Sequence, residues 1–186
     1  MTLERFDAGQ RRLVLEYVRG VIEHRLAGIP APPRPDIPAL RELGSCFVTL
    51  NDAAGELRGC IGSIEAVEPL GDSLERNALN AALRDPRFPP VEPDELPELH
   101  IEVSVLTPMR RIASASDFVV GRHGILFELG RCHAVFLPQV AVEQGWNAET
   151  TLDYLARKAG LPPEAWRHPQ ARFSVFEAEV FGEAKK

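Results

Sequence analysis

Cysteine is scarce in this chain: Cys46, Cys60 and Cys132 are the only three in 186 residues. An odd, widely spaced set excludes a disulfide framework and fits a reducing compartment. No CxxC pair occurs, and nothing resembles the cysteine triad of an iron–sulfur site. Long apolar runs are also missing, so no segment approaches the roughly 20 residues needed to span a bilayer. The stretch Met1 to Asp7, with Glu4, Arg5 and Asp7, lacks the apolar core of a secretory signal. A cytoplasmic location with no membrane contact is therefore expected. Basic excess is lacking too: 27 acidic against 21 basic side chains give a net charge of −6. That balance opposes nucleic acid or anionic lipid as a partner, because such binding rests on clustered Lys and Arg. Neither a Walker A loop, a GxGxxG turn nor a GxSxG elbow is present. Cys132 and His133 are adjacent and point to opposite faces of a strand, which argues against joint metal ligation. No metal and no cofactor is expected.

What is there suits one well-buried core, or two small lobes, in a chain of ordinary globular composition. Asp7-Ala8-Gly9-Gln10 reads as a capping box opening an amphipathic helix that ends near Gly28. Five prolines between Pro30 and Pro38 make Ile29 to Ala39 an extended arm. Cys46–Leu50 and Leu57–Ile61 read as an antiparallel hairpin, and a contact between Cys46 and Cys60 across it stays open. Pro69 opens a second helix running to about Arg84. His100 to Leu106 alternates as a half-buried strand, with Glu102 and Ser104 expected on a solvated face. Beyond Arg111 the texture changes. Phe118–Val120 and Ile125–Leu129 are expected to flank a Gly121–Gly124 turn, residues 134–137 supply another strand, Asn147 caps a late helix, and Phe173–Phe181 returns to the first sheet.

The candidate chemistry centres on Leu57-Arg58-Gly59-Cys60-Ile61-Gly62. Strand alternation puts Arg58, Cys60 and Gly62 on one side, so Cys60 has a cation as its same-face neighbour. A nearby positive charge favours the thiolate, and Arg58 is expected to lower the Cys60 pKa or to bind an anionic ligand group. The competing reading makes Cys60 a small core residue and Gly59 a mark of close backbone approach. Asn77 falls inside the apolar stripe of the second helix, either as a structural amide or as a polar contact of the Cys60 strand. Arg87 sits in the stiff loop Asp85-Pro86-Arg87-Phe88-Pro89-Pro90 as a ligand-binding candidate. His123, in the glycine turn, is a candidate acid or base, with a plain turn histidine as its alternative.

Five ordered motifs take the reading further: the Leu57–Gly62 and Asp85–Pro90 stretches, Val103-Ser104-Val105-Leu106-Thr107, Leu137-Pro138-Gln139-Val140-Ala141, and Glu143-Gln144-Gly145-Trp146. Together they resemble the AMMECR domain family over nearly the whole chain. The resemblance implies an α+β fold in two parts. The larger subdomain, residues 1–110 with 169–186, would have an antiparallel sheet and helices built from both termini; the smaller, residues 111–168, would have a three-stranded antiparallel sheet and helices. It places Cys60, with Arg58 and Gly59 in the same motif, near a cleft between the subdomains. Many relatives carry a second cysteine where this chain has Ala156. It also implies a component of a modification or small-molecule pathway, with Memo-like proteins of the extradiol dioxygenase type and radical SAM proteins as partners. A thiol-dependent activity and a non-catalytic partner or regulatory subunit are the two functions it leaves in play.

Overall fold

The computed structural model describes residues 5–184. The fold is α+β, with two four-stranded sheets in two compact units. The described residues up to Leu106 cluster with the segment beginning at Glu179, and Thr107–Ala178 form the second unit.

The first unit opens with α1 (Ala8–Leu26), started by the expected capping box: the Asp7 carboxylate accepts from Gln10 N–H, and the Gln10 side chain accepts from Asp7 N–H. The proline arm lies along α1 and α2 (Leu70–Leu83), where Arg34 pairs with Asp72 at 2.6 Å. The sheet runs β2 (Leu57–Gly62), β1 (Ser45–Asn51), β3 (His100–Leu106), β8 (Ala178–Gly182). Its inner face, including Cys46, Val48, Leu50, Ile101, Val103 and Val105, packs under the helices with Val18, Ile22, Leu74 and Ala78 in one core. Cys46 faces this core, whereas Cys60 pairs with Thr49, one residue out of phase and so on the opposite face. The open question of a Cys46–Cys60 contact is thereby answered against it.

The second unit has the sheet order β4 (Arg110–Ile112), β7 (Arg172–Phe176), β5 (Gly124–Leu129), β6 (Cys132–Phe136). Its core gathers Ile125, Phe127 and Phe173 beneath Leu152 and Leu155 of α4 (Ala148–Lys158), which Asn147 caps; α3 (Pro138–Glu143) precedes it. Gly130, at φ +61°, makes the two-residue turn between β5 and β6, as mirror-image hairpin turns require.

Three expectations are corrected. Phe118–Val120 is not a strand but a turn, in which Arg122 and His123 N–H both donate to Val119 C=O. The final run is two strands rather than one. Thr107 donates its N–H to Glu177 C=O and accepts from Glu177 N–H through its hydroxyl, both at 2.9 Å, which breaks the run at Glu177. β7 therefore completes a second sheet of four strands, not three, and residues 169–178 cluster with the middle segment; only β8 returns beside β3.

Candidate functional site

β2 is an edge strand, and an uncovered edge exposes a row of backbone donors and acceptors. The Asp85–Pro90 loop covers this one with side chains. The Asp85 carboxylate accepts from Cys60 N–H at 2.9 Å, and Arg87 Nη2 donates to Cys60 C=O at 3.0 Å. The two side chains hold each other as well: Arg87 Nε and Nη2 donate to the two Asp85 oxygens at 2.9 and 2.7 Å. Asp85 is buried while half of the Arg87 side chain stays exposed. Arg87 and the Cys60 and Arg87 backbone donors hold the Asp85 carboxyl well below the usual carboxylate range, against the opposing cost of burial. The pair acts as a one-residue substitute for a neighbouring strand.

Gly59 shows why this strand needs glycine. A Cβ there would sit 2.3 Å from the Ala81 carbonyl oxygen of α2, so the helix backbone rests directly on the strand. At Gly62 a Cβ would lie 2.3 Å from the Phe47 ring.

Cys60 itself is partly exposed. Thr49 Oγ1 donates to its sulfur at 3.3 Å, which suits a close cross-strand pair. Thr49 in turn stands opposite Glu102 of β3 on the same face. Arg87, Cys60, Thr49 and Glu102 thus form a row across the sheet: guanidinium, thiol, hydroxyl, carboxylate. Burial pushes the Cys60 thiol up; the Thr49 hydrogen bond and Arg87 pull it down, and Asp85 and Glu102 push it up further. The expected activation by Arg58 is overturned. Arg58 is committed to Glu95, which accepts from its Nε and, at 3.0 Å, from its Nη2, and it lies over the Phe88 ring. Among the described residues its buried Nη1 meets no acceptor.

Asn77 is buried, as helical phase predicts, yet it faces β1 rather than Cys60. Its amide donates to Cys46 C=O at 3.1 Å and to Ser73 Oγ at 3.2 Å. His123 belongs to the second unit and is not an exposed turn residue. It is buried, its Nδ1 accepts from Val119 N–H at 3.1 Å, and burial with Arg122 nearby pushes its pKa down. Of the residues singled out from sequence, then, Arg58, Gly59, Cys60 and Arg87 come together, and Asn77 and His123 do not join them.

Thr49, Asp85 and Glu102 were missed as partners of Cys60. The only signal for the first and last was cross-strand register, which between β1 and β2 is shifted by the bulge at Leu50 and Asn51 and between β1 and β3 joins segments about 50 residues apart. Glu102, expected to be merely solvated, also lines a groove of about 760 Å³ with Asn51, Asp52 and His100. Ser104, expected on the same solvated face, is buried. Along the groove wall Arg19 pairs with Glu183 at 2.6 Å, and Glu183 accepts from Ile101 N–H at 2.9 Å, tying the end of the chain to β3.

A family model described as AMMECR1 matches residues 15–181. The chain belongs to the AMMECR1 family. A protein of Methanothermobacter thermautotrophicus is 43% identical over 180 residues, covering 92% of this chain and 93% of the relative. One from Methanocaldococcus jannaschii is 40% identical, covering 92% and 89%. The crystal structure of an uncharacterised protein, PH0010 from Pyrococcus horikoshii, matches with a TM-score of 0.83 at 38% identity, over 91% of this chain and 89% of that one. Among the described residues of this AMMECR1-family chain, no helix is long and apolar enough to cross a membrane.

Proposed function

We propose that this AMMECR1-family chain works through the outer face of its first sheet, as one component of a modification or small-molecule pathway, with Cys60 as the thiol that engages the ligand. The observation that carries this reading is how Cys60 is held. One loop holds both its N–H and its C=O, and the residue stays partly exposed with its sulfur beside a hydroxyl donor. Fixed backbone and supporting hydrogen bonds are what a functional side chain needs to keep its geometry. Burial raises the thiol pKa, which favours the protonated form at neutral pH, and a ligand that changes the balance of charge around the sulfur would shift that ionisation. The family resemblance supplies the setting: Memo-like and radical SAM proteins as partners in a cytoplasmic pathway. In that division of labour this chain contributes the thiol surface, and the partner contributes the radical or metal chemistry.

A second reading has its own observation. The Asp85–Arg87 clamp and Gly59 serve the strand backbone rather than the sulfur, which is what a non-catalytic partner subunit with a structural motif would also need. Native alkylation with iodoacetamide, mapped by peptide mass spectrometry, separates the two. The thiol reading expects Cys60 to be modified in the folded protein while buried Cys46 is spared. Modification of Cys60 only after unfolding would leave the partner-subunit reading.

A further inference from the structure

We infer that the free edge of β6 receives an extended acidic peptide of a partner protein as an added antiparallel strand, its carboxylates turned toward Arg157 and Lys158 of α4. The hairpin register creates that edge. Gly130 and Arg131 form a two-residue turn, so Leu129 and Cys132 exchange main-chain bonds, and the exchange alternates through Phe127 with Ala134 and Ile125 with Phe136. His133 and Val135 therefore turn N–H and C=O away from β5, and β6 ends the sheet. Where β2 gives its edge to a whole loop, β6 receives one side chain: Lys158 Nζ donates to Val135 C=O at 2.9 Å. A lysine on a strand edge blocks stray pairing. Here it also stands where an N–H of an added strand would donate.

The surroundings select the chemistry of that strand. Pro138 opens α3 just beyond β6, and Gly145, at φ +65°, turns the chain so that Trp146 N–H donates to Ala141 C=O. Trp146 thereby comes beside Phe136, ring centres 5.9 Å apart, and stacks on Tyr154 at 4.2 Å. The Leu137–Ala141 and Glu143–Trp146 motifs build this aromatic wall. Cations lie at both ends of it: Lys158 Nζ is 4.8 Å from the Phe136 ring centre, and the Arg157 guanidinium carbon is 5.2 Å from that of Tyr154. Among the described residues, neither of them nor Arg131 in the turn pairs with a carboxylate. Glu149 and Asp153 of the same helix are engaged by Arg167, and Asp153 also accepts from Trp166 Nε1. Glu128 stands in register between His133 and Arg172, on the face turned away from α4. A positive edge on a chain of net charge −6 suits an acidic strand and repels a second β6 edge, which makes a partner peptide the occupant rather than a second copy. In such strand addition the main chain supplies affinity and the side chains supply specificity.

The probe is acetyl-Glu-Val-Glu-Val-Glu-Val-amide, with Gln and Lys versions in place of Glu, and binding is followed by amide NMR shifts. Ala134 packs in the core with Leu152 and Leu155, so His133 and Val135 point away from α4. Opposed residues of an antiparallel pair share a face, so with the glutamates toward α4 it is the valine N–H groups that meet β6. N-methylation of the valines should abolish binding, whereas N-methylation of the glutamates should leave it. Bound peptide should slow hydrogen exchange at the His133 and Val135 amides. The Glu peptide should bind about two- to fivefold more tightly than the Gln peptide, the factor of one partly screened ion pair. That ratio should fall in Lys158→Gln and in Arg157→Gln, two exposed positions, and Lys158→Gln should strengthen the Gln peptide by clearing Val135 C=O. Equal binding of the Lys peptide, indifference to valine methylation, or no shift at β6 with the Glu peptide overturns the inference. Protection of His133 and Val135 that rises with protein concentration, without peptide, also overturns it by giving the edge to a second copy. None of these outcomes bears on Cys60.

Discussion

Two buried positions show how much of the motif chemistry is architecture. Replacing Asn77 with Leu keeps the branched skeleton but removes the amide that donates to Cys46 C=O and Ser73 Oγ, leaving the buried carbonyl with Ser63 N–H as its remaining donor. The expected cost is about 1–3 kcal/mol, read as a shift in the denaturation midpoint. Native alkylation of Cys60 should be unchanged, since Asn77 lies across the sheet from it. Gly59→Ala drives a methyl into the Ala81 carbonyl. It should destabilise by about 1–3 kcal/mol, with the larger figure favoured because backbone has to move. A neutral Gly59→Ala would mean that α2 does not rest on β2 as described. At this scale the sequence was informative: glycine inside a strand already pointed to close backbone approach, and helical phase put the Asn77 amide in the core. It said less about Arg58, whose partner Glu95 lies 37 residues further along the chain, beyond any local pattern.

The next scale is the edge strand and the loop that covers it. Asp85→Ala should expose Cys60 N–H and loosen Arg87, raising hydrogen exchange at Cys60 while exchange in β1 and β3 holds. The pH dependence has a definite sign. Asp85 is depressed in the folded protein, so its stabilisation is full above the ordinary aspartate value of about 4 and is lost progressively as pH falls below it. Unaltered protein should therefore lose its advantage over Asp85→Asn on acidification. A stability gap between the two that stays constant from neutral pH to pH 3 would contradict the clamp. The prolines around Arg87 made the loop legible as stiff; which edge it covered was not, because that depends on where α2 ends relative to β2. The same limit applied to Phe173–Phe181. Its apolar pattern announced extended chain, but the break at Glu177 comes from Thr107, a long-range contact that leaves no mark on local periodicity.

Across the whole molecule, element order and α+β class were readable because capping, proline punctuation and alternation agreed with one another. The candidate site was half readable. The thiol and its loop were visible as motifs, whereas the row through Thr49 to Glu102 exists only once three strands are in register. Its consequence for the thiol is opposite to the one expected from Arg58 alone: burial, with the two carboxylates, outweighs the Thr49 hydrogen bond and Arg87 and leaves the pKa raised. The central claim is that Cys60 is a reachable, protonated thiol held ready on this face. Alkylation of native protein by iodoacetamide across pH, resolved by peptide for Cys60, Cys46 and Cys132, tests it most directly. The account predicts that Cys60 reacts while Cys46 is protected, with a titration midpoint above the free-cysteine value of about 8.5 that falls in Glu102→Gln. A midpoint below that value, or a Cys60 as unreactive as Cys46 until the protein unfolds, would contradict it.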